Sequence, residues 1–212
     1  MTELADRLVE SAARRHLSEL AEALDTFEDA AEIAMSWGRE LAGVLLGGGR
    51  LLVVGNGGSA AQAQHLSAEV VGRYRDDRPP FSAIALHTEP SALTAIVNDY
   101  GIAEMFARQV GAHGRRGDVC VLMSTSGGSR NVIVAAERAS RLGLRTWAMT
   151  GPVPNPLAAV CDQTLSVDSA STAAIQELHL VGLHLLCESM DLELARLGTS
   201  VVPVPRRPRD VS

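Results

Sequence analysis

Two short segments rich in glycine and hydroxyl side chains are the clearest candidates for binding an anion. Residues 55–59 read Gly-Asn-Gly-Gly-Ser, and residues 124–129 read Ser-Thr-Ser-Gly-Gly-Ser. Each segment follows an apolar run and precedes a stretch with helical spacing. Glycines let backbone N–H groups approach an anion at the first turn of a helix, and hydroxyls add further donors. Together the two segments predict a phosphate cradle, although either one alone could be an ordinary strand-to-helix turn.

The basic residues limit how a phosphate can be held. All 19 of them are arginines. Without lysine the chain can neither form a Schiff base nor use the lysine of a P-loop. The first loop also lacks the G-x-G-x-x-G spacing of a dinucleotide site, and Gly47 to Gly49 precede a strand instead of following one. We therefore expect no nucleotide cofactor.

A candidate acid–base pair follows the first loop. His65 and Glu69 are four residues apart in a predicted helix, so both side chains lie on one face. The carboxylate could remove a proton next to a carbonyl, and the imidazole could protonate the oxygen opposite. The alternative is a solvated pair on the surface of the helix.

In the last predicted helix, residues 172–196, the stretch 175–186 carries four polar side chains among apolar ones. They are Gln176, Glu177, His179 and His184. Gln176 and His184 are eight residues apart, which is roughly 12 Å along a helix axis, so one metal ion cannot bind both from a single copy. The alternative is that these are buried histidines with hydrogen-bond partners and a capping glutamine.

A zinc site is a further hypothesis for the same residues. Zinc holds its ligands at about 2.0 to 2.2 Å. A single site built from His65, Glu69, Gln176 and His184 would therefore need ligands from two chains. The zinc hypothesis predicts an oligomer.

Five apolar segments rich in β-branched residues predict the strands that position these loops. They cover residues 51–55, 82–86, 118–123, 144–150 and 163–167. Nearly wholly apolar strands that alternate with helices predict a parallel sheet with helices on both faces. The predicted fold is a doubly wound, flavodoxin-like α/β sandwich with five parallel strands. Ligands in such folds bind beyond the carboxyl ends of the strands, which is where both loops fall.

The chain is predicted to have three parts. Residues 1–47 form an N-terminal extension of two helices broken near Asp25, and residues 48–197 form the sheet domain, which ends in a long helix. That helix exceeds what one small domain needs, which favours helix-mediated oligomerisation. Residues 198–212 are rich in proline and arginine, so they cannot continue the helix and are expected to form a disordered tail.

Composition excludes several classes of partner. A formal charge of −6 and an aromatic content of 3% argue against a nucleic-acid binder. No apolar run approaches the roughly 20 residues of a membrane span, and the first residues do not resemble a secretory signal. The three cysteines, Cys120, Cys161 and Cys187, are interpreted as reduced core thiols. These features predict a cytoplasmic protein.

The motifs and their order carry a family resemblance over about residues 46–186. They read Gly55-Asn-Gly-Gly-Ser59, His65-x-x-x-Glu69, Gly72-Arg-Tyr74, Asn98-Asp-Tyr-Gly101, Ser124-Thr-Ser-Gly127 and Ile175-Gln-Glu-x-His179-x-x-x-x-His184. This set resembles the phosphoheptose (sedoheptulose 7-phosphate) isomerases of the sugar isomerase, or SIS, domain group. The resemblance implies a homotetramer with active sites between subunits. It also implies conversion of sedoheptulose 7-phosphate to D-glycero-D-manno-heptose 7-phosphate, the first step towards nucleotide-activated heptose.

The resemblance further implies roles for individual residues. Glu69 would be the base and His184 the acid of an enediol reaction, with the loop hydroxyls holding the phosphate. Some family members bind zinc through residues that match His65, Glu69, Gln176 and His184, so Zn2+ is the expected cofactor. The implied substrate contacts are Asn56, Gly57, Gly58, Ser59, Glu69, Asn98, Asp99, Ser124, Thr125, Ser126, Ser129 and Gln176.

Two departures from the family pattern keep alternatives open. Ala173 and Ala174 stand where the family often has a charged pair, and Arg130 follows a Gly-Gly-Ser where many isomerases have Gly-Asn-Ser. A non-catalytic branch of the same family binds a bacterial replication initiator protein, and parts of this sequence resemble that branch. The chain keeps both Glu69 and His184, which favours the enzyme. A sugar-phosphate sensor is the third hypothesis.

Overall fold

The computed structural model describes residues 2–202, with side chains from residue 10 onward. The α-helices are α1 (Thr2–Asp25), α2 (Glu28–Leu46), α3 (Gly57–Val71), α4 (Pro90–Tyr100), α5 (Ala107–His113), α6 (Arg130–Leu142) and α7 (Thr172–Arg196). The strands are β1 (Leu51–Gly55), β2 (Ala83–Ala85), β3 (Val119–Ser124), β4 (Arg145–Thr150) and β5 (Gln163–Ser166). Single 3-10 turns cover Ile102–Glu104 and Ala158–Val160.

The five strands form one parallel sheet in the order β2-β1-β3-β4-β5. The predicted doubly wound fold is therefore confirmed, and so is the long last helix. Strand order reverses between β1 and β3, and the two glycine-serine loops follow these two neighbouring strands. A crevice at such a reversal is the usual ligand position in this class of fold.

Side chains alternate along each strand and so enter two cores, one on each face of the sheet. In β1, Leu51 and Val53 belong to one core, whereas Leu52 and Val54 belong to the other. Helices α2, α3 and α7 complete the first core, and α5 and α6 complete the second. Burial of both faces explains why the strands are almost wholly apolar.

Helix α2 is fixed to both the sheet and α7. The indole of Trp37 stacks on that of Trp147 in β4, with ring centroids 5.0 Å apart, and donates a hydrogen bond to Gln163 Oε1 at 2.6 Å. Gly38 lies against the backbone of α7, where an added Cβ would be 2.3 Å from Leu186 O. The predicted helical extension thus shares the core of the sheet domain.

The cysteines and the end of the described chain complete the fold. All three cysteines are free; Cys120 and Cys187 are buried, and burial raises the pKa of the Cys161 thiol to about 12. Val202 forms an antiparallel bridge with Asp77. The part of the predicted disordered tail from 203 to 212 lies outside the described residues. Within residues 2–202, no helix has the length and apolarity needed to cross a membrane.

Candidate active site

The first loop turns sharply from β1 into α3. Gly57 has φ +54°, a conformation that favours glycine, and Gly55 packs so closely that an added Cβ would be 2.5 Å from Ser59 O. Asn56 is the extended N-cap residue of α3, and Ser59 is buried in its first turn. The backbone amides at this helix start therefore lie where the sequence predicts an anion site.

The second loop gathers its hydroxyls at the start of α6. Ser124 Oγ and Ser129 Oγ are 3.0 Å apart, and Gly128 N donates to Ser126 Oγ at 3.2 Å. Thr125 O accepts a hydrogen bond from Gly151 N at 2.9 Å, which fixes the loop to the end of β4. The Ser124 and Ser129 hydroxyls therefore lie together at the start of α6, where the sequence predicts a phosphate cradle.

A pair of asparagines joins the two loops. Asn56 Nδ2 donates to Asn131 Oδ1 at 3.0 Å, and Asn131 Nδ2 donates to Asn56 Oδ1 at 2.9 Å. Asn131 is buried in the first turn of α6 and also lies 3.6 Å from Met105 Sδ. Asn131 was not predicted from the sequence, where its only local signal is its position next to the serine-rich segment.

Asn155 packs against the second loop and was also not predicted from the sequence. Its amide Nδ2 donates to Thr150 Oγ1 at 3.0 Å, and its Oδ1 accepts from Ala158 N at 2.9 Å. Gly127, at φ +61°, packs directly on this amide, since an added Cβ would be 2.1 Å from Asn155 Oδ1. The contact holds the tip of the cradle in one conformation.

The predicted acid–base residues meet between α3 and α7. His65 Nε2 is 3.2 Å from His184 Nε2 and 3.3 Å from Glu69 Oε1. The ring of Tyr74 lies 5.7 Å from that of His184. Within one chain the structure thus brings together a carboxylate and two imidazoles. The sequence predicted that His65 and Glu69 lie on the same face of α3.

Burial and charge determine how two of these groups titrate. Partial burial, followed by the neighbouring His65, lowers the pKa of His184, while Glu69 opposes the change. Burial and then Glu188 raise the pKa of Tyr74. The lowered pKa of His184 favours its neutral form, in which one ring nitrogen donates and the other accepts.

Gln176 of α7 lies apart from this cluster, beside the first turns of α3. Gly58 packs against the Gln176 amide, and the Gln62 side chain donates to Gln176 O. That Gln176 and His184 of one copy cannot share a metal ion stays a prediction. Gln176 instead closes one side of the first loop.

The donor chemistry of the histidine cluster suits zinc. Ligands held at about 2.0 to 2.2 Å in a tetrahedron are about 3.3 to 3.6 Å from one another, and the two distances from His65 Nε2 are close to that range. Two imidazoles and a carboxylate are also a usual catalytic zinc set. Within the part of the chain described, however, no three His, Cys, Asp or Glu side chains are already placed to hold a metal.

Asn98 and Asp99 lie on α4, which has no buried residue. Asn98 Nδ2 donates to Asp99 Oδ1 at 2.8 Å. Asn98 also lines a groove of about 470 Å³ together with Met105, and Met105 contacts Asn131 of the loop pair. The groove therefore runs from α4 towards the two loops.

The two departures from the family pattern are at or near the site. Arg130 begins α6 and is largely exposed, with Nη1 3.9 Å from Glu137 Oε1. Ala174 is buried and Ala173 is exposed in the first turn of α7. Neither position brings a charged group to Gln176.

The parallel sheet, its two serine-glycine loops and the histidine cluster define a protein of the sugar isomerase class. A family model described as the SIS domain matches residues 11–151. The chain is 60% identical to a phosphoheptose isomerase of Streptomyces coelicolor over 181 residues, which is 85% of this chain and 78% of that one.

Solved structures agree with this. A phosphoheptose isomerase from Francisella tularensis has a TM-score of 0.79 and 33% identity, covering 91% of this chain and 100% of its own. One from Neisseria gonorrhoeae has a TM-score of 0.79 and 38% identity, covering 86% of this chain and 99% of its own. The chain belongs to the phosphoheptose isomerase family, a family of enzymes, and the resemblance seen in the sequence is confirmed.

Proposed function

We propose that the chain converts sedoheptulose 7-phosphate to D-glycero-D-manno-heptose 7-phosphate by proton transfer through an enediol. The observation that supports this most is the meeting of Glu69, His65 and His184 in a chain that also has two phosphate-type loops. A base and an acid are what an aldose–ketose exchange requires, and the loops supply affinity for the distal phosphate. The family supports a heptose phosphate as the substrate.

The proton transfers follow from these roles. Glu69 removes a proton from C1 of the ketose while His184 gives a proton to the C2 oxygen, producing the enediol. Glu69 then returns the proton to C2, and the C1 hydroxyl gives its proton to His184 as the aldehyde forms, which returns both side chains to their starting states. Two electrons move from C1 to C2 within one molecule, so no redox cofactor is needed.

The proposed cofactor is one zinc ion. His65, Glu69 and His184 would hold it, and Gln176 of another copy would be the fourth ligand. When bound, zinc acts as a Lewis acid that polarises oxygens of the substrate. A glutamate engaged in this way is not a wholly free base, so its release from the metal would decide how well it accepts a proton.

The proposed assembly is a homotetramer with its active sites between subunits. Gly57 and Glu69 are 12 residues apart on α3, which is about 18 Å along the helix axis. A heptose phosphate is shorter than that, even when extended. The phosphate cradle of one copy and the acid–base cluster of another are therefore the proposed halves of one site.

The two other hypotheses use less of what is present. An adaptor for a replication initiator or a sugar-phosphate sensor would need the loops or the surface, but neither requires Glu69 beside two imidazoles.

The three free cysteines suit the reducing cytoplasm expected for the enzyme.

The decisive experiment is turnover of sedoheptulose 7-phosphate by the purified chain, followed by NMR. It is repeated with a chelator and again after zinc is restored. Product that disappears with the chelator and returns with zinc supports both the isomerase and the metal. Product unaffected by the chelator supports the isomerase alone, and no product under any condition favours the adaptor.

Substitution of the proposed base tests the mechanism. Glu69→Gln is expected to lower kcat by at least about 10² while substrate still binds, because an amide cannot accept the proton. Glu193→Gln is the matched control. Glu193 also lies on a helix of this core, but its side chain pairs with Arg196 and does not join the histidine cluster. Full turnover by Glu69→Gln would exclude Glu69 as the base.

A further inference from the structure

The end of α3 that carries Glu69 is held by a buried arginine. Arg78 Nη2 donates to Glu69 O at 2.7 Å, and Nη1 donates to Val70 O at 3.0 Å and to Pro79 O at 3.1 Å. The last carbonyl groups of a helix have no partner within the helix. Arg78 therefore acts as a side-chain cap on the turn that bears the proposed base.

The charge of this arginine is matched from α7. Arg78 Nε donates to Asp191 Oδ1 at 2.8 Å, and the Arg78 side chain has no exposed surface, while that of Asp191 is 10% exposed. Asp191 is seven residues after His184, close to two helical turns, so the two lie on nearly the same side of α7. One guanidinium thus contacts both helices that supply the acid–base cluster.

We propose that Arg78, through its ion pair with Asp191, is a positioning residue that fixes the location of Glu69 relative to His184. The proposal rests on the isomerase function above. It follows from the planar guanidinium, whose fixed donors meet a carboxylate of α7 on one side and two carbonyl groups of α3 on the other. A displacement of about 1 Å between reacting groups can cost about a hundredfold in rate, so a rigid link at this place has a direct kinetic effect.

A purely stabilising role is the alternative. A buried ion pair stabilises a fold weakly, because removing both charges from water offsets much of their attraction, and apolar residues can often replace it. Stability and position can therefore be separated by suitable variants. A lysine at position 78 keeps the charge but loses the fork that reaches both carbonyl groups.

The first test compares Arg78→Lys and Asp191→Asn with a matched control, Asp118→Asn. Asp118 is also buried and pairs with Arg50, but it lies at the amino end of β3, away from the cluster. We expect kcat to fall about ten- to a hundredfold in the first two variants, with KM changed less than about threefold because the phosphate loops are intact. The control is expected to lose thermal stability but to keep kcat.

The second test restores stability without restoring the hydrogen bonds. The double variant Arg78→Met with Asp191→Leu fills the space with apolar side chains, and we expect its Tm to exceed that of either single variant. If the pair positions Glu69, kcat remains low. Recovery of kcat together with Tm, or an equal loss in Asp118→Asn, would overturn the proposal.

A third measurement does not depend on turnover. If Arg78 fixes the end of α3 relative to α7, Arg78→Lys changes the contact between the His65 and His184 rings. The ring nitrogen resonances of both histidines are therefore expected to shift in Arg78→Lys and not in Asp118→Asn. Absence of turnover in the wild type would remove the proposed function, but these resonances would still report the positioning. Unchanged resonances in Arg78→Lys would overturn it.

Discussion

Single residues determine the shape of the proposed phosphate cradle. Only glycine fits at position 127, because the Asn155 amide occupies the space that a Cβ would need. Asn131 forms two hydrogen bonds with Asn56 and so joins the second loop to the first. These contacts preorganise the donors before any ligand arrives. Binding then spends less free energy on ordering the loops.

Replacement of Gly127 by alanine tests this fit. The variant must accommodate both a positive φ and the Asn155 amide, so we expect it to lose about 2 to 4 kcal/mol of unfolding free energy and most of its affinity for phosphate. The control is Gly48→Ala, at φ +82° with no atom within 4 Å of the added Cβ, where only about 1 to 2 kcal/mol is expected. Urea unfolding and phosphate titration measure the two effects. Equal losses in both variants would contradict the role of Asn155.

A buried histidine makes stability depend on pH. His179 is buried, its Nε2 lies 3.1 Å from Thr150 O, and burial lowers its pKa to about 4. The unfolded chain binds this proton near pH 6.5, whereas the folded chain does not until about pH 4, so stability falls as the pH falls between these values. The loss approaches about 3 kcal/mol at the acid end.

Substitution of His179 isolates this contribution. In His179→Gln the difference in unfolding free energy from the wild type should shrink as the pH is lowered from 7 to 4, because glutamine takes up no proton. Chemical denaturation at several pH values measures the difference. A difference that does not vary with pH would contradict the assignment to His179.

Residues with local signals could be predicted from the sequence, and residues defined by tertiary neighbours could not. The loops of Ser59 and Ser124 were predicted because glycine and hydroxyl residues directly after an apolar run are a local pattern. Arg78 carries no such pattern. Its partner Asp191 is 113 residues away, and only the packing of α3 against α7 brings the two together.

At the scale of elements, close approach of α2 and α7 fixes the helical layer on one face of the sheet. Gly38 lies against the α7 backbone, and Ser189 Oγ donates to Met35 O at 2.6 Å. The last helix and the five strand segments followed from apolar patterning, which records burial directly. The edge strand β2 differs most from its prediction: residues 82–86 were predicted and 83–85 are observed, because an edge strand has only one neighbour to extend its pairing.

Two glycines of α2 predict opposite effects for the same substitution. Gly38→Ala forces a Cβ into the α7 backbone and should destabilise the protein by about 1 to 3 kcal/mol or more. Gly43→Ala meets no atom within 4 Å and should stabilise it by about 0.5 to 1 kcal/mol, because alanine is the better helix former. Thermal unfolding of both variants measures the signs. A stable Gly38→Ala would mean that α2 is not held at this distance.

At the scale of the whole molecule, a single chain leaves the proposed site divided. The cradle and the acid–base cluster lie at different levels of α3, and α4, which carries Asn98 and Asp99, has no buried residue. The sequence predicted an oligomer from the separation of Gln176 and His184. It could not predict which surfaces meet, since this depends on the shape of the assembled chain.

Mixing two inactive variants tests a shared site. Glu69→Gln removes the base and Ser124→Ala weakens the cradle, so each alone should be inactive or nearly so. After subunit exchange, about one quarter of the sites should combine an intact base with an intact cradle, and activity should return to that level. Each variant treated alone is the control. No recovery in an exchanged mixture would show that each chain has a complete site.

The stacked indoles of Trp37 and Trp147 have an optical consequence. They are the only two tryptophans of the chain, both are fully buried, and their planes are within 7° of parallel. Two identical chromophores this close couple their electronic transitions, so the ultraviolet absorption and emission of the folded protein differ from those of two isolated indoles. Because one ring belongs to α2 and the other to β4, this difference reports whether α2 is packed on the sheet, without any added label.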